Sequence, residues 1–480
     1  MQQQVTKAFL KVASNLSFPY EVESSCLLGK VLSCTQLLRN LPSKRMVCQA
    51  TYGGQTVLVK LFFGASYKRR WQREVDGVIH IASSGVRTPE LLEAVVDEQQ
   101  GIAFAIFEFI DQADTLDACW QKASGDGAKA AIFKQALDVI ATLHNSGVVQ
   151  EDIHLNNFLI GEGGLYLIDG DQVSLQKKGQ ALSVELAIDN IALFFAQFHP
   201  WEDDWVDQVF GCYLGLRGIS MTEMPLQALK QKVKEQRTWR EGRYVEKKVF
   251  RACSEFNLIK NWNNFSVFSR EIDEEEAYRF INEPDAFIER GEILKSGRSA
   301  TVAKIKFAGK SCVVKRYNKK STHHRLARSL LESRAAVSWR SGHLLRFNGI
   351  STAAPLLMLE QRFGVMRFGS YILTEYISGE HAANYFSRDD CSAEAKAMAE
   401  KVRRLIVKLH QSEISHGDLK SHNIWIAENS PLLIDLDGMQ KNRDKRRQEQ
   451  LARRDWSRLF RDLGGSEIAP ILFKGLNLHI

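Results

Sequence analysis

The chain has 480 residues, too many for one compact core and about right for two or three domains. A hydrophobic fraction of 44% and a charged fraction of 25% are those of a soluble globular protein; no uncharged apolar run approaches the ~18 residues of a membrane span, and Met1 to Gln4 do not open a secretory leader. Eight cysteines without a Cys-x-x-Cys pair exclude a zinc site or a disulfide framework and point to reduced thiols in the cytosol.

In chain order, the first readable elements are two strands, Met46 to Tyr52 and Gln55 to Phe62, with Gly53-Gly54 as a hairpin turn between them. Lys60 falls near the end of the second strand, where a lysine can hold nucleotide phosphates; a solvent-facing strand end is the alternative. Lys68 to Ile81 reads as a helix carrying Glu74, an acid that can orient such a lysine by ion pairing. The apolar run Ile102 to Ile110 suits a buried strand, and Ala128 to His144 and Ser183 to Phe198 suit largely apolar helices. A basic helical stretch follows from Pro225 to Phe250, then connecting structure that puts a linker at 256–284.

The second half repeats the order. Ile293 to Ile305 reads as strand, turn, strand, and Gly297 in the turn is open between a backbone approach to phosphate and an ordinary hairpin. Lys310 to Tyr317 gives a second strand lysine, Lys315. A helix around Leu326 to Trp339 contains Glu332 as the acid that could pair with it. Tyr371 to Tyr376 matches the earlier apolar run, and Ala393 to His410 is the next helix.

Each half then carries the same polar signature. Asp418 is followed five residues later by Asn423, and Leu432 to Ile434 is an apolar strand ending in Asp435. Asp152, Asn157 and Asp169 stand in the same order after the helix ending at His144. The pairs His144/His410, Asp152/Asp418, Asn157/Asn423, Asp169/Asp435 and Asp171/Asp437 are all 266 residues apart, which is an internal repeat. The layout is that of phosphotransfer: the first Asp accepts a proton from an attacking hydroxyl, and the Asn and last Asp are oxygen ligands for the magnesium that bridges nucleotide phosphates. Asp171 and Asp437 are open between a metal role and capping of the following turn.

The formal net charge of +7 is clustered in Lys230 to Arg251, Lys304 to Arg334 and Lys441 to Arg461. Solvated helix faces explain part of this; three clusters favour an anionic partner, with nucleic acid ranked last because no nucleic-acid motif accompanies the charge.

Strand lysine, helix glutamate, apolar connection, Asp-x4-Asn loop and strand-end Asp together follow the protein-kinase order. No arginine precedes Asp418, no Ala-Pro-Glu follows Asp169 or Asp435, and little room is left for a peptide-binding activation segment, which disfavours a protein kinase. His416 to Asn423, Leu294 to Gly297, Val314 to Asn318 and Ser333 to Ala335 resemble the bacterial lipopolysaccharide (Kdo/WaaP-type) core kinases, over most of 285–460 and more loosely over 45–200. Aminoglycoside phosphotransferases are a more distant resemblance.

The resemblance implies an α+β fold of two tandem protein-kinase-like domains, 1–255 and 285–480, each with a small β-rich N-lobe and a mainly helical C-lobe. It implies ATP and Mg2+, an anionic glycolipid (lipid A–core) or sugar acceptor, and a cytoplasmic location, with peripheral association at the inner membrane through the basic clusters left open. Asp418 and Asp152 are then the catalytic residues, Lys315, Glu332, Gly297, Lys60 and Glu74 hold the nucleotide, and Asn423, Asp435, Asn157 and Asp169 hold the metal. Gln150-Glu151 in place of His-Gly would weaken the first site. The competing readings are an aminoglycoside-like small-molecule phosphotransferase and a kinase-fold scaffold for envelope biosynthesis.

Overall fold

The computed structural model describes residues 19–476 apart from 23, 28–29, 42, 319–330, 389–390 and 429. The chain divides into two compact units, residues 1–198 with 202–237, and residues 199–201 with 238–480. Both mix sheet and helix in a way compatible with a kinase-like fold. Among the described residues no helix is long and apolar enough to cross a membrane.

The first unit opens with a six-stranded antiparallel sheet in the order β1-β2-β3-β4-β6-β5: Tyr20–Val22, Leu32–Leu41, Arg45–Tyr52, Gln55–Phe62, Leu91–Asp97 and Ile102–Glu108 are β1 to β6. The expected hairpin is present, β3 pairing with β4 around Gly53-Gly54. Alternation puts Val57, Val59 and Leu61 of β4 into the core and turns Lys60 to the other face. The expected helix spans Tyr67–Ser83. At Gly77 an added Cβ would lie 1.9 Å from the carbonyl oxygen of Gly170, so the absence of a side chain lets this helix rest on the turn after Asp169.

Below the sheet, the helices Asp126–Asn145 and Val184–Phe195 match the expected ones within a few residues. Phe133, Phe194 and Phe195 are almost wholly buried there with Phe158 and Phe210, each side chain contributing about 1.5–3 kcal/mol of burial. Five short strands frame the loops: Asp114–Thr115, Val148–Gln150, Phe158–Gly161, Gly164–Leu167 and Val173–Leu175 are β7 to β11, paired as β10-β9-β7 and β11-β8.

The second unit has a seven-stranded sheet in the order β12-β13-β17-β18-β16-β15-β14. Its strands are Phe256–Lys260, Asn264–Ser269, Glu292–Ser296, Ala300–Phe307, Lys310–Tyr317, Pro355–Phe363 and Met366–Glu375, β12 to β18. Residues 256–284 are therefore no linker. β13 pairs with β17 over five residues, and the helix Glu274–Asn282 buries Ala277, Phe280 and Ile281. The polar Asn261 to Asn264 stretch that suggested a connection is the β12–β13 turn, closed by Asn261 accepting from Asn263 and Asn264.

The helix expected at 326–339 is described from Arg334 onward. Residues 319–330, with His323 and His324, lie outside the described residues, and the helix seen is Arg334–Phe347, capped by Ser333. Ala393–Gln411 matches expectation. The remaining strands, Glu380–His381, Ile414–Ser415, Ile424–Ala427, Ser430–Leu433 and Gln440–Lys441, are β19 to β23, paired as β19-β21-β22 and β20-β23, the connectivity of β7 to β11 again.

Candidate active site

In the second unit β16 carries Lys315 opposite Val302 of β15 and Ile372 of β18. Its ammonium contacts Asp435 and lies 3.3 Å from Asp437 Oδ2. Burial works against the charge, but Tyr317, Asp437 and Asp435 outweigh it and hold the lysine pKa above its ordinary value. Asp435 shifts the other way: burial would raise its pKa, and Lys315 more than offsets this. Its backbone is left-handed, φ 62°, a conformation Asp tolerates better than most residues. Asp169 has the same handedness, φ 71°.

The loop before it is fixed from several sides. Asn423, almost fully buried, donates from Nδ2 to the Asp418 carbonyl at 2.8 Å and to Asp418 Oδ2 at 3.2 Å. Lys420 donates to the same Oδ2 at 3.0 Å. The buried His416 is kept neutral by desolvation, so its Nε2–H donates to the Ile434 carbonyl at 3.0 Å. Gly417 has φ 81°, and a Cβ there would lie 2.1 Å from the Gly438 carbonyl oxygen, so the His-Gly-Asp turn needs its glycine.

Two residues without a sequence-based role anchor this loop from the helix Lys445–Leu463. Asp455 accepts from the backbone N–H of His416 and Gly417, and Asp462 accepts from the N–H and hydroxyl of Ser421. Asp455 is fully buried; desolvation opposes its charge, and His410, 3.4 Å away, and the loop donors outweigh it. The signal lay in their spacing: two acids seven residues apart on a helix otherwise rich in arginine.

Two expectations for this unit are corrected. Glu332 does not meet Lys315. It lies outside the helix, ahead of the Ser333 cap, and makes a bidentate pair with Arg340. Lys315 is held by Asp435 and Asp437 instead, and Arg334 also reaches Asp437. Gly297 forms an ordinary hairpin: its N–H donates to the Ala300 carbonyl at 3.0 Å, and so cannot point at a phosphate.

The first unit brings its five expected residues together. Lys60 Nζ lies 2.5 Å from Glu74 Oε1 and 3.5 Å from Asp169 Oδ1. Glu74 is fully buried and also accepts from the Gly170 N–H at 3.2 Å. Asn157 donates to the Asp152 carbonyl at 2.8 Å, as Asn423 does to Asp418. Burial would raise the Asp169 pKa, but Lys60 and Arg45 bring it down to about 2. Arg45 was not foreseen. It is buried at the first residue of β3, with Nη1 3.4 Å from Glu74 and 3.7 Å from Asp169.

The loop supports differ in chemistry. Gln150 stands 266 residues before His416 and donates to the Asp169 carbonyl at 2.9 Å. Asn190 donates to the Gln150 carbonyl, and Gln197 accepts from the Leu155 N–H, both at 2.8 Å. Amides thus hold this loop where carboxylates hold the other. His144, buried and with its pKa lowered to about 4 by desolvation, donates from Nε2 to Asn190 Oδ1 and accepts from the Tyr213 hydroxyl. His154 stands where the other loop has Lys420.

Among the described residues no group of three or more His, Cys, Asp or Glu is arranged to hold a metal ion. A pair of one Asn and one Asp completed by phosphate oxygens and water is a different kind of site.

Residues 280–469 match the lipopolysaccharide kinase (Kdo/WaaP) family. The chain is also similar to the EKC/KEOPS complex subunit BUD32 of Debaryomyces hansenii, 45% identical over 51 residues, which are 10% of this chain and 20% of that protein. The similarity thus spans about a fifth of the length of that curated relative. Lysine, loop Asp, Asn and strand-end Asp of the second unit all fall inside residues 280–469, the part of the chain that matches the lipopolysaccharide kinase (Kdo/WaaP) family, a family of phosphotransferases.

Proposed function

We propose that the second unit transfers the γ-phosphate of ATP to a sugar hydroxyl of the lipopolysaccharide core, with magnesium, at the cytoplasmic face of the inner membrane. The carrying observation is the loop geometry: Asn423 fixes Asp418 in place through its Nδ2, and the Asn423 carbonyl accepts from the backbone N–H of Ile434, the residue before the ionised Asp435, at 3.0 Å. Two hard oxygen donors from the protein fit magnesium, which keeps several waters and takes the rest of its shell from phosphates. When bound, the ion would neutralise charge on the nucleotide phosphates.

In this reading Lys315, held by Asp435 and Asp437, contacts the phosphates. Asp418, half exposed at the loop tip, orients the acceptor hydroxyl and takes its proton, and Lys420 lies beside the transferred group. Positioning and charge neutralisation supply the rate, since the protein is asked for little covalent chemistry. The first unit is a second kinase-like domain, arranged in tandem, with Lys60, Glu74, Asp152, Asn157 and Asp169 at the corresponding positions. Exposed arginines at Arg446, Arg447, Arg453, Arg454 and Arg461 favour an anionic glycolipid over an amine-bearing sugar, and peripheral attachment to acidic lipid.

The test is an acceptor comparison with labelled ATP and magnesium. Purified lipid A–core should take label and an aminoglycoside should not. Label in the aminoglycoside alone would reverse the assignment.

A further inference from the structure

The two sites differ in the cations around the strand-end Asp. In the second unit Asp435 and Asp437 both face Lys315, so two carboxylates are available to a divalent ion, and Arg334, which reaches Asp437, is 45% exposed. The β3–β4 register aligns Arg45 with Phe62, two residues beyond Lys60; the corresponding residue beside Tyr317, two beyond Lys315, is Ala300. An arginine in one unit thus stands where the other has alanine.

That arginine changes the chemistry at Asp169. Its side chain is 8% exposed, and its guanidinium lies within 3.7 Å of Asp169 with Lys60 on the same oxygen at 3.5 Å. Arg39 adds further positive potential. Asp171, which matches Asp437 in sequence, is drawn away from the lysine to Arg73, at 3.5 Å. Glu74 is fully buried and taken up by Lys60, Arg45 and the Gly170 N–H, so Asp169 is the carboxylate left to meet a divalent ion, and one of its oxygens already faces both Lys60 and Arg45. The same cations attract phosphate directly, and guanidinium is suited to bidentate contact with phosphate oxygens. Arg45 also has an unmet need: its Nε–H is buried and finds no acceptor among the described residues, a state that costs roughly 1–3 kcal/mol. Rotation onto a phosphate oxygen would satisfy it. With His154 in place of the loop lysine, the first loop lacks the fixed charge that Lys420 offers beside Asp418.

We propose that the first unit is a nucleoside-triphosphate binding site that works without a divalent cation, Arg45 supplying the charge that magnesium supplies in the second. This rests on the reading of the first unit as kinase-like.

The experiment is calorimetric titration of the full chain with a non-hydrolysable ATP analogue, the second site being silenced by Lys315→Met. The expected result is one site whose Kd changes less than about threefold between magnesium and EDTA. Adding Arg45→Ala should weaken binding in EDTA by tenfold or more; Arg45→Lys, which keeps the charge, should recover most of it, and thermal melts check that each variant is folded. Binding that needs magnesium, or that ignores Arg45→Ala, overturns the proposal while leaving the kinase-like reading intact. No binding in either buffer would end both.

Discussion

Asp455 accepts the backbone N–H of His416 at 2.8 Å, across a gap of 39 residues, and accepts that of Gly417 from the same carboxylate. The conformation of the loop carrying Asp418 is thereby set by a buried charge on a distant helix. Asp455→Asn keeps the shape and removes one acceptor. Hydrogen bonds to charged groups contribute about 1.5–3 kcal/mol, so a loss of that order in chemical denaturation is expected. Transfer should fall tenfold or more in kcat, with KM for ATP nearly unchanged, because Lys315 does not depend on this anchor. A fall confined to KM would contradict the positioning role.

Glu332 and Asp437 separate two views of how Lys315 is held. Glu332→Ala breaks a pair with Arg340 and should change kcat/KM less than about threefold, in line with the small contribution of exposed ion pairs. Asp437→Ala removes a partner of both Lys315 and Arg334 and should raise KM for ATP by tenfold or more. Steady-state kinetics on both variants, side by side, decides between them.

Gly417 is fixed by geometry. Substitution by alanine brings a Cβ against the Gly438 carbonyl in a left-handed backbone that itself costs about 1–2 kcal/mol for a residue with a side chain. Gly417→Ala should lower the melting temperature and abolish transfer. Unchanged melting would show that the loop has room that the structure denies.

Acid should destabilise the first unit in a defined window. His144 is buried and neutral, with a folded pKa of about 4 against an ordinary 6.5. A depressed folded pKa means that the contribution is full above pH 6.5 and is lost as pH falls towards 4, at most roughly 3 kcal/mol. His343 in the second unit acts in the same direction, its pKa lowered to about 3 by burial. Denaturation free energy followed from pH 7 to pH 4 should fall, and His144→Gln should flatten part of the slope.

Much of this was legible in the sequence because the informative residues lie in short local patterns. Asp-x4-Asn followed by an apolar strand ending in Asp is one loop and one hairpin, and both copies fold as such. Lys60 and Glu74 are separated by a single turn from strand to helix, so their pairing could be read. Glu332 could not, since the cap at Ser333 starts the described helix after it and leaves the acid outside. Residues 256–284 were misread because the Asn-rich β12–β13 turn masks two short strands, the second of which pairs with β17 about ninety residues on. Arg45, Asp455 and Asp462 act across long sequence distances, where local patterns carry no signal. The vacant role of Gly297 follows from its N–H being used within its own hairpin.

The most direct measurement is transfer of labelled γ-phosphate from magnesium–ATP to purified lipid A–core, comparing wild type with Asp418→Asn. Label in the glycolipid with wild type, reduced a hundredfold or more by Asp418→Asn, is the expected result. Undiminished transfer by Asp418→Asn, or no label with wild type that still binds ATP, would contradict the assignment of this loop to phosphorylation of the lipopolysaccharide core.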